Sequence, residues 1–212
     1  MLALPTGEYF VKFSVTYDDA RDDTRYYPQY LYFSSNDSIV RELDFFKKGS
    51  FSLSATNYPT GWELMFDGYW QLKPDGTKAV DAFRYADHLN FLDLVKNCGF
   101  SMHYSEGWSV DELATASLSD LMQKFMSAYN DVVVTDDYVL ALYSGKPEIE
   151  GQDAPYTTSA IRIFDWNGNP LALIHVDKEL GHIAYDQRTK RLYTLDFDYD
   201  ENIMYYELDD VI

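Results

Sequence analysis

The chain of 212 residues contains a single cysteine, Cys98, and no long uninterrupted run of apolar residues. One cysteine excludes an internal disulfide, and without a cysteine pair there is neither a zinc ribbon nor a CxxC redox motif. We interpret Cys98 as a small buried apolar residue rather than as a reactive thiol. Because a membrane-spanning helix needs about 18 or more consecutive apolar residues, no membrane span is predicted.

Basic residues are also few. The chain has 17 Lys and Arg against 35 Asp and Glu, which gives a formal net charge of −18. Such an excess of negative charge repels a phosphate backbone instead of neutralising it. The composition therefore argues against nucleic acid as a partner.

Motifs for nucleotide binding and nucleophilic catalysis are missing as well. The sequence has no GxGxxG, no GxxxxGK[ST] and no GxSxG. Its four histidines are scattered without HxH or HxxxH spacing, so they do not indicate zinc. They are His88, His103, His175 and His182. The sequence thus predicts no catalytic residue, no metal site and no cofactor.

Aromatic residues, by contrast, make up 17% of the chain, and they suit the half-buried surfaces of β-sheets. Four segments repeat one pattern, with apolar side chains at the first, third and fourth positions. The segments are 30–35, 89–94, 161–166 and 203–208. Since a propeller blade repeats every 40 to 50 residues or so, the repetition predicts an all-β fold. We expect a β-propeller-like array of about four antiparallel blades, complete or not.

The expected units form one domain over residues 1–212. Two insertions separate some of the units. The first insertion contains residues 110–126, whose apolar spacing predicts a short helix. The units span about 7–46, 62–105, 131–177 and 182–208, and the insertions span 106–130 and 146–159.

Both ends of the predicted array lack one strand. The first unit supplies three recognisable strands, at 8–17, 25–33 and 39–43, and is missing the innermost one, whereas the last unit is missing the outermost one. An open strand edge invites association. We therefore expect a four-bladed arc, a strained small ring, or a homodimer in which a second copy covers the open blade edges.

Four segments of the chain carry a resemblance to a known family, namely residues 72–87, 135–145, 161–170 and 191–193. Together they resemble the TolB-like six-bladed β-propeller proteins of Bacteroides and its relatives. The similarity covers about residues 5–208. Members of that family are typically longer, exported or lipid-anchored envelope proteins, so the resemblance implies a propeller fold and a periplasmic or outer-membrane location, but no chemistry. This chain is short for six blades and begins without a signal peptide, which predicts a cytoplasmic protein if Met1 is the true start.

The connections between the second and third strands of each unit should share one face of the array. They hold many carboxylates, and a converging ring of these would attract a cationic partner or a divalent ion. The alternative is that they are ordinary solvated loops. The candidate binding residues on this acidic rim are Asp22, Asp23, Arg84, Asp87, His88, Asp196, Asp198 and Asp200.

Two classes of function remain open. The first is a non-catalytic binding or scaffold protein of the bacterial cell envelope, with an unidentified small ligand or protein partner. The alternative is a hydrolase or lyase that acts on carbohydrate or peptide in the axial pocket, an argument from fold alone. The catalytic alternative requires two carboxyl groups, or a carboxyl group and a histidine, facing each other in a pocket.

Overall fold

The structure is a computed structural model. It describes the side chains and backbone of residues 68–96, 98–102, 126–146, 157–195 and 203–208, and the backbone alone of residues 2–3, 9–19, 23–33, 39–43, 103 and 147. All regular secondary structure in these residues is β-strand. Within them there is no helix of the length and apolar character needed to cross a membrane.

Fifteen strands in the described residues form four antiparallel sheets, in each of which every strand pairs with the next one along the chain. Sheet 1 contains β1 (Leu2–Ala3), β2 (Tyr9–Asp19), β3 (Asp23–Phe33) and β4 (Ile39–Leu43). Sheet 2 contains β5 (Gly68–Leu72), β6 (Lys78–Phe83), β7 (His88–Asp93) and β8 (Cys98–His103). Sheet 3 contains β9 (Met126–Val134), β10 (Tyr138–Pro147), β11 (Thr158–Asp165) and β12 (Pro170–Leu180). Sheet 4 contains β13 (Ile183–Asp186), β14 (Arg191–Leu195) and β15 (Ile203–Glu207).

Sheet 3 lies between sheets 2 and 4, and its first strand, β9, contacts the first strands of both neighbours. Successive side chains of a strand point to opposite faces, so the side chains of β10 contribute to two hydrophobic cores. Val139 and Ala141 pack against sheet 2, whereas Leu140 and Leu142 pack against sheet 4. The first strands of sheets 2, 3 and 4 lie next to one another, and the sheets pack face to face. This arrangement is a β-propeller-like array, which confirms the predicted fold class.

The N-terminal sheet corrects one expectation. Leu2 and Ala3 pair with Phe10 and Tyr9, so sheet 1 has four strands and the prediction that it lacks the innermost one is wrong. A strand of two residues is too short to show periodicity, which is why the sequence did not reveal it. Sheet 4 has three strands in the described residues, as expected.

The third unit begins at Met126 rather than at residue 131. Polar residues within β9 interrupt its apolar pattern, yet they are buried, and the Ser127 hydroxyl donates to Asn130 Oδ1 at 2.7 Å. The predicted helix over 110–126 otherwise falls outside the described residues. Cys98, interpreted as buried, is exposed, because it opens the outer strand β8.

The turn between β5 and β6 shows how local chemistry fixes a blade. Gly76 adopts a positive φ of 71°, and its N–H donates to the Lys73 carbonyl at 2.8 Å. Asp75 accepts hydrogen bonds from the Thr77 N–H, the Thr77 hydroxyl and Lys73 Nζ. Burial opposes ionisation of this carboxyl, but these hydrogen bonds prevail and lower the pKa of Asp75 to about 2. The sequence-based assignment of Asp75 to turn chemistry is confirmed.

This lowered pKa makes stability depend on pH. The carboxylate of Asp75 contributes its full stabilisation above the ordinary aspartate pKa of 3.8, and that contribution is lost as the pH falls towards about 2. We expect Asp75→Asn to lower the free energy of unfolding by less than about 1 kcal/mol at pH 6, because the group is partly exposed. The difference between the variant and the parent should vanish near pH 2. Thermal melts at both pH values measure it.

Asp136 offers the matched control. It is an exposed carboxylate in the equivalent turn of sheet 3, where it accepts one long hydrogen bond of 3.4 Å from Gln187. Asp136→Asn should shift the melting temperature less than Asp75→Asn at pH 6. Equal shifts from the two variants would contradict the role assigned to Asp75.

Candidate functional site

A buried ion pair joins sheet 2 to sheet 3. Asp87, in the connection between β6 and β7, is completely buried, and Arg162 Nη1 of β11 donates to its Oδ1 at 2.7 Å. The Tyr129 hydroxyl donates to the same oxygen at 2.8 Å and lies 3.1 Å from Arg162 Nη1. The Arg162 guanidinium carbon also lies 3.3 Å from the ring centroid of Tyr143. We call these four residues the Asp87 cluster.

Strand alternation explains why three of these side chains share one face. Ile161 and Ile163 point into the core between sheets 3 and 4, so Arg162, between them, points towards sheet 2. Tyr129 and Tyr143 are direct partners across the β9–β10 ladder, and their rings lie 5.4 Å apart. Three neighbouring strands thus build a receptacle for the carboxylate of sheet 2.

Burial and charge set the protonation states of this cluster. Burial raises the pKa of Tyr129 well above its usual value, and the negative charge of Asp87 raises it further. Burial and then Asp87 also raise the pKa of Tyr143. Burial acts to lower the pKa of Arg162, but the interactions with Tyr129 and Asp87 have the larger combined effect, so the pKa of Arg162 is raised. The tyrosines therefore stay neutral and Arg162 stays charged.

A groove of about 280 Å³ opens beside Arg162. Leu173 is the direct ladder partner of Arg162 in β12, and the two side chains share a face of the sheet. The Arg162 side chain is 20% exposed, and Leu171 and Leu173 are 50% and 58% exposed. The groove therefore combines a cation with an apolar wall. Its lining residues are Arg162, Phe164, Pro170, Leu171, Ala172 and Leu173.

Three of the predicted rim residues lie in or next to the β6–β7 connection. Asp87 and His88 are buried there rather than facing solvent, because the connection folds under sheet 3, where the Ala128 N–H donates to the Arg84 carbonyl at 2.6 Å. The Arg84 guanidinium lies 5.2 Å from the ring of Tyr85. The buried carboxylate of Asp87 therefore joins sheet 2 to sheet 3.

The side chains of the other predicted rim residues lie outside the described part of the chain. Asp23 begins β3, where only its backbone is described, paired with Asp19. Asp22, Asp196, Asp198 and Asp200 lie outside the described residues. The acidic rim stays a prediction.

Sequence reasoning missed Arg162, although the repeat contains a signal for it. Arg162 occupies the second position of its copy, where the other three copies have Leu31, Asn90 and Met204. A charge in a strand position that is uncharged elsewhere in the repeat indicates a special environment. Tyr129 carries no such signal, because aromatic residues are common throughout the chain.

One carboxyl group, in β9, and one histidine, just before β13, face each other, which is a pair of groups that the catalytic alternative requires. His182 Nδ1 lies 3.4 Å from Asp131 Oδ2, but the same oxygen accepts the Ile183 N–H at 3.0 Å, and the His182 side chain is 64% exposed. Asp131 thus fixes the start of β13 against β9. Among the residues with a described placement, no group of three or more His, Cys, Asp or Glu is arranged to hold a metal ion.

No family model matches the chain, and no curated protein matches it. Among solved structures, hydrazine synthase of Kuenenia stuttgartiensis aligns with a TM-score of 0.48 at 8% identity, over 86% of this chain and 40% of that one. A functionally unknown protein from Desulfotomaculum acetoxidans aligns with a TM-score of 0.40 at 12% identity, over 93% and 52%. A candidate 6-phosphogluconolactonase from Bacteroides uniformis aligns with a TM-score of 0.42 at 13% identity, over 92% and 47%. The chain spans about half the length of these proteins or less.

Proposed function

We propose that the protein is a non-catalytic binding module of the bacterial cell envelope, and that its ligand is an amphipathic carboxylate with an aliphatic tail. The observation that carries the proposal is the groove in which charged Arg162 adjoins exposed Leu171 and Leu173. The resemblance of residues 72–87 and 161–170 to TolB-like propellers supports the envelope location.

The chemistry of the groove favours binding over catalysis. Asp87 is completely buried, and its Oδ1 accepts hydrogen bonds from both Tyr129 and Arg162. This buried carboxylate holds the guanidinium of Arg162 in position. The ring of Tyr143, which stacks on the guanidinium, restricts it further. A fixed guanidinium recognises carboxylates well because little side-chain entropy is lost on binding. The leucines would cover the apolar tail of the ligand.

Titration with octanoate, a short aliphatic carboxylate, tests the proposal. We expect saturable shifts of the backbone amide NMR signals of Leu171 and Leu173, and we expect neutral octanol to bind more weakly. Leu173→Gln should weaken octanoate binding roughly tenfold, because it removes apolar surface from the groove wall. It leaves the Asp87 cluster intact.

Val95→Gln is the matched control, because Val95 is 70% exposed, lies in the turn after β7 and is not among the residues that line the groove. This variant should bind octanoate like the parent protein. The proposal fails if octanol binds as tightly as octanoate, if Leu173→Gln and Val95→Gln bind alike, or if octanoate does not bind.

A further inference from the structure

Strand β15 presents an exposed edge. In the described part of the chain it has one neighbour, β14, and it is the last strand of sheet 4. Ile203 is 71% exposed and Tyr205 is 50% exposed, and Leu195, the ladder partner of Ile203, is 49% exposed. The face of sheet 4 that points away from sheet 3 therefore exposes apolar side chains at Ile203, Tyr205 and Leu195.

Strand β12, the outer strand of sheet 3, has features that prevent its edge from pairing with another strand, and β15 lacks them. Strand β12 begins with Pro170, contains Lys178, and pairs with β11 through two register shifts. Prolines, lysines and bulges are the usual means of preventing edge-to-edge association. Strand β15 has the sequence IMYYE, without proline or lysine, and pairs with β14 in an unbroken register. It therefore keeps a regular edge that can accept another strand.

We propose that β15 pairs antiparallel with β15 of a second copy of this chain, with Tyr205 at the two-fold axis. The two three-stranded sheets then become one continuous sheet. Ile203 lies opposite Glu207 of the partner subunit, and Met204 lies opposite Tyr206 of the partner subunit. No like charges face each other in this register, and an aromatic pair occupies its centre, which is the favourable arrangement across strands.

Contacts with neighbouring side chains order Tyr205 before the dimer forms. The Arg191 guanidinium carbon lies 4.3 Å from its ring centroid, and the Tyr193 ring lies 6.1 Å away. Arg191 Nη2 is in turn fixed by Glu207 Oε1 at 3.0 Å. A side chain that is already ordered loses less entropy on association.

The dimer should be weak and should strengthen with salt. A ladder of five residues a side forms a small interface, of the class that gives transient complexes. Each copy carries a formal charge of −18, so long-range repulsion opposes the encounter until salt screens it. The pairing uses β15 and is independent of the groove at Arg162.

Disulfide trapping tests the register. In a Cys98→Ser background, Tyr205→Cys places two thiols on the two-fold axis, where strand partners lie about 4.5–5.5 Å apart between Cα atoms, within disulfide range. We expect mild oxidation to give a covalent dimer. Glu207→Cys in the same background should give no covalent dimer, since its opposite residue is Ile203 of the partner subunit. Equal trapping of both variants, or of neither, would refute the register.

Sedimentation velocity tests the association without engineered thiols. From about 10 to about 200 µM, the range in which a weak interface responds, the average mass should rise from one copy towards two, and more at high salt. Ile203→Glu should weaken association at least tenfold, because the new carboxylate faces Glu207 of the partner subunit and like charges directly opposite each other are destabilising. His175→Glu adds the same charge at an exposed position of β12 and should change association much less. A mass of one copy throughout, or equal effects of these two variants, overturns the proposal.

Discussion

Arg162→Met is expected to lower the free energy of unfolding by about 3–5 kcal/mol, the usual cost of removing one partner of a buried ion pair. The cost is high because Asp87 is completely buried and would lose the cation that compensates its charge. Tyr129 supplies one remaining hydrogen bond to the carboxylate. Urea unfolding of the parent protein and the variant, followed by far-UV circular dichroism, measures the difference.

A triple variant separates the ion pair from the volume that it fills. Asp87→Leu, Tyr129→Phe and Arg162→Met together remove the three polar groups that bond to one another in the Asp87 cluster, while keeping similar shapes. Replacing a whole buried pair with apolar side chains is often neutral, so the triple variant should recover most of the loss. A single Arg162→Met variant that costs less than about 1 kcal/mol would show that the pair does not hold sheets 2 and 3 together.

Phe164→Ala should be comparably damaging, at about 3–5 kcal/mol. Phe164 is 1% exposed in the core between sheets 2 and 3, and its ring lies 6.4 Å from that of Phe91 in an edge-to-face arrangement. The cavity left by alanine would be surrounded by strands that pair on both sides, so it could not collapse. The same urea titration measures the loss.

Phe100 provides a control of identical chemistry. It also contacts Phe91, on which it stacks with ring centroids 5.1 Å apart, but it is 38% exposed on the outer strand β8. Phe100→Ala should cost roughly 1 kcal/mol, since it buries less surface and its neighbours can relax. Similar losses from the two alanines would mean that the core between sheets 2 and 3 is not the main support of the array.

The fold was predictable because its signals are local. A strand shows an apolar pattern of period two, and a turn shows residues such as Asp75 and Gly76 at fixed offsets, so repetition of both indicates stacked antiparallel sheets. The parts that escaped prediction lack a local signal. Leu2 and Ala3 form too short a strand, and Ser127 and Asn130 are buried polar residues inside one.

The site was much less predictable, because it depends on contacts between residues far apart in sequence. Asp87 was selected as an exposed rim residue from its place in a connection, whereas it is buried against Arg162, 75 positions later. Acidic residues in loops are usually solvated, so composition alone suggested the wrong environment. Only the packing of sheet 2 on sheet 3 shows that this carboxylate needs a cation.

The hydrophobic core between sheets 2 and 3 shares no side chain with the core between sheets 3 and 4. Each sheet therefore depends on its immediate neighbours, as in repeat proteins whose energies add between adjacent units. Duplication or deletion of a terminal blade would change one junction and leave the other intact. The number of blades can thus vary during evolution without redesign of the interior.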